Sequence, residues 1–319
     1  MPGVINYLRI SITDRCNLRC FYCTSWAGWE KLPCQEILRY EELLRLAGVA
    51  AGVGIRKVRV TGGEPLVRRG VLDFIRRLRQ VPGIEEVCLT TNGVRLKELA
   101  ADLYDTGLRH LNLSLDSLRR DRFRELTGRD HFDDVLAGLD HARALGFSPI
   151  KINCVALKDL NDDEFLDFAL LTQEQPFQIR FIEFMPTVEE SRWRRHFMSI
   201  AEVRQRLAKL GPLETVTSSV TAGPARTFRV PGFKGELGFI SAVSDHHCPT
   251  CNRLRLTAAG RLRPCLFATP ELNLKEPLRR GVSDETLARL FQEAIRLKGR
   301  VSPALTSAAP NRAMVSIGG

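Results

Sequence analysis

Short apolar runs alternate with amphipathic stretches six times over the first two-thirds of the chain, and this alternation limits the possible folds more than any other feature. The first unit pairs the apolar run YLRISIT (7–13) with RYEELLRLAGVAAG (39–52), in which apolar residues recur at helical spacing. Five more strand–helix units follow, up to about residue 212. Because such units connect by right-handed crossovers, the series predicts an α/β fold with a parallel sheet, either closed into a barrel or open.

The residues best suited to chemistry follow the predicted strands. Residues 16–23 come after the first strand, 62–65 after the second, 90–93 after the third, 114–116 after the fourth and Met185 after the sixth. In parallel sheets and barrels, ligands bind at the carboxyl ends of the strands. We therefore expect one shared site.

The pattern changes near residue 212. Beyond it, β-rich runs are interrupted by Gly and Pro, a second group of cysteines follows, and a helix is predicted near 284–298. We therefore predict two domains, 1–212 and 213–319, of which the second is a β-rich extension.

Charge and cysteine content restrict the partners and the compartment. The chain has 47 Lys and Arg against 37 Asp and Glu, a net charge of +10. Arginine is well suited to binding phosphate groups. The positive charge is scattered along the chain, which is weak evidence for nucleic-acid binding. No signal peptide and no membrane span is predicted. We expect a cytoplasmic protein, whose nine cysteines are metal ligands, catalytic groups or buried thiols rather than disulfides.

The first cysteine group, Cys16, Cys20 and Cys23, has the spacing C-x3-C-x2-C. Three thiolates leave one position of a four-coordinate site open, and thiolates favour zinc, copper(I) or iron–sulfur clusters. A four-iron cluster normally takes four cysteines, so three would leave one iron free. Buried structural thiols remain the alternative.

The second group consists of Cys248, Cys251 and Cys265. It fits either a second cluster with an open iron or a structural zinc site completed by His246 or His247.

Two arginines, Arg253 and Arg255, alternate directly after this CxxC pair. A strand would place both on one face, which indicates a pocket for an anion or, alternatively, a solvated basic strand.

The segment CNLRCFYC resembles the signature of the radical S-adenosylmethionine (SAM) superfamily, and TGGEP (61–65) resembles its motif for the SAM amino group. The resemblance implies an incomplete (β/α)6 barrel of TIM type. It also implies a [4Fe-4S] cluster whose free iron binds SAM and supplies the electron that cleaves it to a 5′-deoxyadenosyl radical. The implied SAM contacts are Tyr22, Gly63, Ser114 and Met185.

Eight segments in order, DRCNLRCFYC, RVTGGEPLVRRG, LTTNG, NLSLD, RFIEFMP, CPTCNRLRL, CLFA and the final IGG, resemble the GTP 3′,8-cyclase family of molybdenum cofactor biosynthesis. This resemblance implies a lyase with a second [4Fe-4S] cluster in the C-terminal extension and GTP bound between the clusters. In that family the radical removes the hydrogen of ribose C3′, and a C3′–C8 bond then forms.

Residue roles carry over from the same resemblance. The implied GTP contacts are Arg9, Arg59, Thr90, Lys151, Arg253, Leu254 and Arg255, with Lys57 and Arg180 as additional phosphate contacts. The implied catalytic residues are Gly318, Gly319, Arg253 and Arg255, the two glycines reaching toward the site and assisting radical generation.

The implied partners are a downstream cyclic pyranopterin monophosphate synthase, an external flavodoxin- or ferredoxin-type electron donor and a second copy of the chain, with no nucleic acid and no membrane. Two other functions stay open: a radical SAM enzyme with an auxiliary cluster acting on a peptide or RNA, and a zinc-bearing nucleic-acid-binding module. Cys88 and Cys154 are predicted to be small buried hydrophobic residues, and Cys34 has no assignment.

Overall fold

The computed structural model of the chain describes residues 4–23, 30–217, 223–245, 250–267, 270–298 and 314. Six consecutive parallel strands confirm the predicted alternation: β1 (Tyr7–Ser11), β2 (Lys57–Thr61), β3 (Glu86–Thr91), β4 (His110–Ser114), β5 (Ile150–Ala156) and β6 (Gln178–Glu183). The sequence pattern located each of them to within a few residues.

The predicted helices are present, and three further helices in the described part of the chain were not predicted. The predicted ones are α1 (Tyr40–Gly52), α2 (Val71–Arg79), α3 (Leu96–Asp105), α5 (Phe132–Ala144), α6 (Phe165–Glu174), α8 (Ile200–Arg206) and α10 (Asp284–Lys298). The additional ones are α4 (Arg120–Thr127), α7 (Glu190–His196) and α9 (Lys275–Arg279). All three are short and rich in charge, so apolar periodicity marks them weakly.

Strands from the C-terminal part extend the six-stranded sheet at both edges. Strand β9 (Glu236–Ile240) pairs in parallel with β6, and β10 (Arg253–Leu256) pairs in parallel with β1. Among the described residues, eight neighbouring strands are therefore parallel, within one twelve-stranded sheet. The outer strands are antiparallel: β7 (Glu214–Thr215) and β8 (Arg226–Arg229) beyond β9, and β11 (Arg261–Arg263) and β12 (Leu272–Asn273) beyond β10.

This architecture is the predicted incomplete barrel with a C-terminal β-rich extension, and the extension is part of the same sheet. Strands from both sides of residue 212 belong to this one sheet. The division into domains 1–212 and 213–319 stays a prediction.

The two faces of the parallel strands differ completely in polarity. On one face, side chains such as Leu8, Val58, Leu111 and Ile152 are fully buried and pack in the main hydrophobic core with helix residues. The alternating positions of the same strands form what we call the polar face: Tyr7, Arg9, Lys57, Arg59, Glu86, Cys88, Thr90, His110, Asn112, Lys151, Asn153, Gln178, Arg180, Arg253 and Arg255. An interior face of this polarity suits a polar ligand.

Candidate active site on the polar face

The first cysteine group lies in the loop after β1. Cys16, Cys20 and Cys23 are half-buried free thiols, and the amide of Cys23 donates to the carbonyl of Cys20 at 2.9 Å. The three thiols are close enough to influence one another: burial raises the pKa of Cys20 well above its usual range, with contributions from Cys23 and Cys16. The fold therefore brings the predicted trio together.

The donor set around Cys16 fits an iron–sulfur cluster. The amide of Leu18 donates to its Sγ at 3.4 Å and Asn92 Nδ2 at 3.7 Å, and such N–H···S bonds are a means of tuning a cluster. Burial first, and then Glu64, raises the pKa of Cys16 to about 11. A metal cation would supply the positive charge that keeps this thiol deprotonated.

The TGGEP loop is bonded to the backbone just before the first cysteine. Gly63 N donates to Thr13 O at 2.7 Å, and Glu64 N donates to Arg15 O at 2.8 Å. A Cβ at Gly62 would lie 2.8 Å from Thr13 O, so only glycine permits this approach. The predicted SAM contact Gly63 is thereby held beside the cysteine loop.

The Glu64 side chain connects this loop to the end of β3. Its carboxylate accepts hydrogen bonds from Leu66 N (2.9 Å), Thr91 Oγ1 (2.8 Å) and Asn92 N (2.7 Å). Burial nevertheless raises the pKa of Glu64 to about 7. Because Asn92 also contacts Cys16, the ends of three strands are linked through two side chains.

The other predicted SAM contacts lie at the same carboxyl edge. The Tyr22 hydroxyl donates to Asp116 at 2.6 Å, and Thr187 Oγ1 donates to the Tyr22 carbonyl at 2.9 Å. Thr187 N in turn donates to the carbonyl of Met185, at 2.7 Å. Ser114 ends β4, and its register partner is Asn153. Sequence reasoning did not identify Asp116 as the residue that holds Tyr22.

Arginines from three neighbouring strands lie side by side on the polar face. Arg9 is the register partner of both Arg59 and Arg255, so β10 brings an arginine of the second cysteine segment against the first strand. Burial, together with Arg59 and Arg253, lowers the pKa of Arg9 to about 10. Burial, followed by Arg9 and Arg253, also lowers the pKa of Arg255. This crowding of cations favours an anionic ligand.

Leu254 differs from the other predicted GTP contacts. Its side chain is fully buried in the hydrophobic core, on the face opposite Arg253 and Arg255. A contact between Leu254 and a ligand on the polar face would therefore use its backbone.

Thr90 and Asn112 are register partners in the middle of the polar face. The Oγ1 atom of Thr90 and the Oδ1 atom of Asn112 are buried and have no hydrogen-bond partner among the described residues. Buried oxygens of this kind are usually satisfied, so the pair is suited to a ligand. Sequence reasoning selected Thr90 and missed Asn112, although its position in NLSLD alternates with the apolar leucines.

A cavity of about 340 Å³ opens at the amino-terminal end of the same face. Its charged lining residues are Lys57, Glu86, His110, Lys151, Arg180 and Glu236. Burial first, and then Arg180, Arg59 and Lys57, lowers the pKa of Lys151 to about 7. Burial also lowers the pKa of Arg180 to about 10, with Arg59 the next cause.

Cys251 and Cys265 of the second group are half-buried near Arg255. Both tend to raise the pKa of Arg255, but burial and the neighbouring arginines outweigh them and the pKa is lowered overall. Burial opposes ionisation of Cys251, yet Arg253 and Lys298 lower the pKa of this thiol to about 6. A thiol held as thiolate fits a metal cluster. Its partner in this group is Cys265; Cys248, His246 and His247, and the tail glycines Gly318 and Gly319, lie outside the described residues.

Glu183, at the end of β6, holds the segment that leads to this second group. Its fully buried carboxylate accepts hydrogen bonds from Ile200 N (2.9 Å), Val243 N (2.7 Å) and Ser244 N (2.9 Å), and from the Ser244 hydroxyl. The sequence signal was the single acidic residue in the apolar run FIEFM.

The three remaining cysteines have different environments. Cys154 is fully buried in the hydrophobic core, as predicted. Cys88 is also fully buried, but it lies on the polar face and its thiol donates to Glu86 at 3.0 Å, so its predicted hydrophobic role is wrong. Cys34 is exposed and accepts a hydrogen bond from Arg15 Nη2 at 3.2 Å.

The incomplete barrel, the three-cysteine loop and the adjoining glycine pair define a radical SAM protein. The family model of the radical SAM superfamily matches residues 10–172, and the model described as Molybdenum Cofactor Synthesis C matches residues 177–302. Solved structures of Streptococcus suis SuiB share the fold. The structure of SuiB bound to SAM matches this chain with a TM-score of 0.58 and 15% sequence identity. The match covers 90% of this chain and 68% of the SuiB chain. The structure of SuiB bound to its precursor peptide SuiA matches with a TM-score of 0.60 and 15% identity, covering 99% of this chain and 71% of the SuiB chain.

Curated relatives narrow the class. A GTP 3′,8-cyclase of Heliobacterium modesticaldum is 49% identical over 92% of this chain and 90% of its own length. The GTP 3′,8-cyclase of Moorella thermoacetica is 46% identical over 99% of this chain and 98% of its own length. This chain belongs to the GTP 3′,8-cyclase family. Among the described residues, every helix is too short or too polar to cross a membrane.

Proposed function

We propose that this protein is the radical SAM lyase that converts GTP to (8S)-3′,8-cyclo-7,8-dihydroguanosine 5′-triphosphate, the first step of molybdenum cofactor biosynthesis. The observation that carries the proposal is the cationic polar face, with Cys16, Cys20 and Cys23 in the loop after β1 and Cys251 just before β10, the strand paired with β1. The names of the full-length relatives support the same reaction.

Cys16, Cys20 and Cys23 would hold the first [4Fe-4S] cluster, and Cys248, Cys251 and Cys265 the second. When bound, the first cluster and SAM supply the 5′-deoxyadenosyl radical that takes a hydrogen atom from ribose C3′. The protein contributes the thiolates, the N–H···S bonds to Cys16 and the open coordination position.

The SAM contacts are assigned to the edge where four loops meet. Gly63 is positioned by its bond to Thr13, and Tyr22 by its bond to Asp116. Ser114 and Met185 follow β4 and β6 at the same edge. These bonds fix the loops before SAM arrives, so less conformational entropy is lost on binding.

The polar face would bind GTP. Arg253 and Arg255 lie beside Cys251, and the guanine end of GTP would bind there, near the second cluster. The buried oxygens of Thr90 and Asn112 are available to the nucleoside. Lys57, Lys151 and Arg180 line the cavity in which the triphosphate charge would be balanced. Arg9 and Arg59 connect these two regions, and Leu254 would contribute backbone contacts.

Several further assignments rest on family membership. We assign Gly318 and Gly319, with Arg253 and Arg255, to radical generation and turnover. The product would pass to a cyclic pyranopterin monophosphate synthase, and a flavodoxin- or ferredoxin-type protein would supply electrons. A cytoplasmic location, a homodimer and a domain boundary near residue 212 complete the proposal.

Product analysis tests the function. Anaerobically reconstituted protein with SAM, reductant and GTP should yield 5′-deoxyadenosine and the cyclised triphosphate, identified by mass spectrometry. Without GTP the cyclised product should be absent. A protein that contains both clusters but forms no 5′-deoxyadenosine would contradict the proposal.

A further inference from the structure

Three potential metal ligands lie together on two neighbouring strands of the polar face. Glu86 and Cys88 alternate along β3 and therefore project from the same side of the sheet. His110 begins β4 and is the register partner of Cys88. Glu86 and His110 also line the cavity at the amino-terminal end of this face.

The three donor atoms are close enough to share one ion. Glu86 Oε1 is 2.6 Å from His110 Nδ1 and 3.0 Å from Cys88 Sγ. All three atoms lie within 4.8 Å of one another, which holds for no other trio of His, Cys, Asp or Glu in the part of the chain that is described. Because all three residues belong to strands, their backbones are already positioned.

The chemistry of these donors selects the class of ion. One imidazole nitrogen, one sulfur and one carboxylate oxygen are the ligands of tetrahedral zinc, with bonds of about 2.0–2.3 Å. In such a tetrahedron the donor atoms are roughly 3.3–3.6 Å apart. The hydrogen-bonded donors would therefore move apart by roughly 0.5–1 Å to admit the ion, a shift that side-chain rotation on fixed strands can supply.

The surrounding cations do not forbid a metal here. Lys57 Nζ lies 2.8 Å from the same Glu86 oxygen, but a carboxylate has a second oxygen that can bind the metal or keep the ammonium group. A Zn²⁺ ion bound by one thiolate and one carboxylate is electrically neutral as a unit. The zinc-bound unit therefore places no net positive charge of its own beside Lys57, Lys151 and Arg180.

We propose that Glu86, Cys88 and His110 form a zinc site, separate from both cysteine groups, whose fourth position faces the cavity. Water or an oxygen of an anionic ligand would complete the coordination there. Formation of the site requires only the two strands that carry it, and its fourth position opens into the cavity proposed for the triphosphate.

Zinc retention by the cluster-loaded protein tests the site. The holoenzyme is incubated anaerobically with ZnCl2, freed of loose metal by gel filtration, and analysed for zinc and iron by mass spectrometry. The variants are Cys88→Ala and His110→Gln. The matched controls are Cys34→Ser and His141→Gln, which alter an exposed cysteine and an exposed histidine elsewhere.

The wild type and both controls should retain one zinc per chain, and the two site variants should lose it while keeping their iron. The zinc X-ray absorption spectrum should show a single sulfur ligand with nitrogen and oxygen. Equal zinc in all five proteins, no zinc in the wild type, or a spectrum with several sulfurs would overturn the proposal. Iron content reports a folding defect in either variant, and 5′-deoxyadenosine formation tests the cyclase function separately.

Discussion

The two cysteine groups occupy opposite electrostatic environments. In the first, burial and the acidic side chains Glu64 and Asp116 raise the pKa values of Cys16 and Cys20. In the second, Arg253 and Lys298 overcome burial and lower the pKa of Cys251 to about 6. Nearby negative charge stabilises the oxidised form of a cluster, and nearby positive charge stabilises the reduced form and attracts anions.

This difference assigns separate tasks to the two ends of the site. A cluster among acidic groups is the stronger reductant, which suits electron donation to SAM. A cluster among arginines suits recognition of an anionic nucleotide.

Removing one ligand from each group should separate the two tasks completely. Cys20→Ala should abolish 5′-deoxyadenosine formation, because the first cluster is lost, while the iron of the second remains. Cys251→Ala should abolish the cyclised product and retain SAM cleavage. The measurements are iron content and chromatographic assay of both compounds. Loss of both activities in the Cys251 variant, with the first cluster intact, would remove the division of tasks.

The arginines beside the second group should matter mainly for GTP. Arg255→Ala should weaken GTP binding by about 10- to 100-fold, since a hydrogen bond to a charged group contributes ~1.5–3 kcal/mol. Arg255→Lys should recover only part of this, because lysine lacks the planar fork. Equilibrium binding of GTP and of SAM to the anaerobic protein gives both values. An equal loss of SAM affinity would argue against a local role.

Lys151 shows how far the cationic environment extends. Its pKa of about 7 means that in the ligand-free protein the ammonium group is charged below that pH and neutral above it. A triphosphate favours the charged form, so binding above pH 7 takes up a proton, and GTP affinity should fall by at most about tenfold per pH unit. Lys151→Arg should flatten this dependence between pH 7 and 9.

The same lowered pKa makes a prediction for stability. Between about pH 7 and the usual lysine value, the unfolded chain binds a proton that the folded chain does not, so the ligand-free protein gains stability as pH rises. Lys151→Met should remove this dependence and raise the melting temperature near pH 7. Thermal unfolding with and without GTP measures both. A variant less stable than the wild type at pH 7 would contradict the assigned burial cost.

The smallest expected effects are on the clusters' reduction potentials. Asp116→Asn removes a negative charge near Cys20 and should raise the midpoint potential of the first cluster. Lys298→Met removes a positive charge near Cys251 and should lower that of the second. Redox titration followed by electron paramagnetic resonance resolves the two. Asp121→Asn, at a highly exposed acid, is the control that should shift neither.

Local patterns were sufficient for much of the fold and part of the site. Strand and helix periodicity located the six units, and the spacing of Cys16, Cys20 and Cys23 indicated their metal chemistry. The helices α4 and α7 were missed because their sequences are short and charged. Glu183 and Asn112 were missed, and Asp116 was selected without its bond to Tyr22, because each acts through a contact distant in sequence.

The sequence by itself determined the alternating parallel architecture, the cysteine groups and the family, since these depend on neighbouring residues and ordered motifs. Only the tertiary structure decided that β10 pairs with β1 and β9 with β6, and so that Arg255 lies beside Arg9. It also decided that Cys88 faces Glu86 and His110 rather than the hydrophobic core. Strand register depends on contacts between distant segments, and no local pattern specifies them.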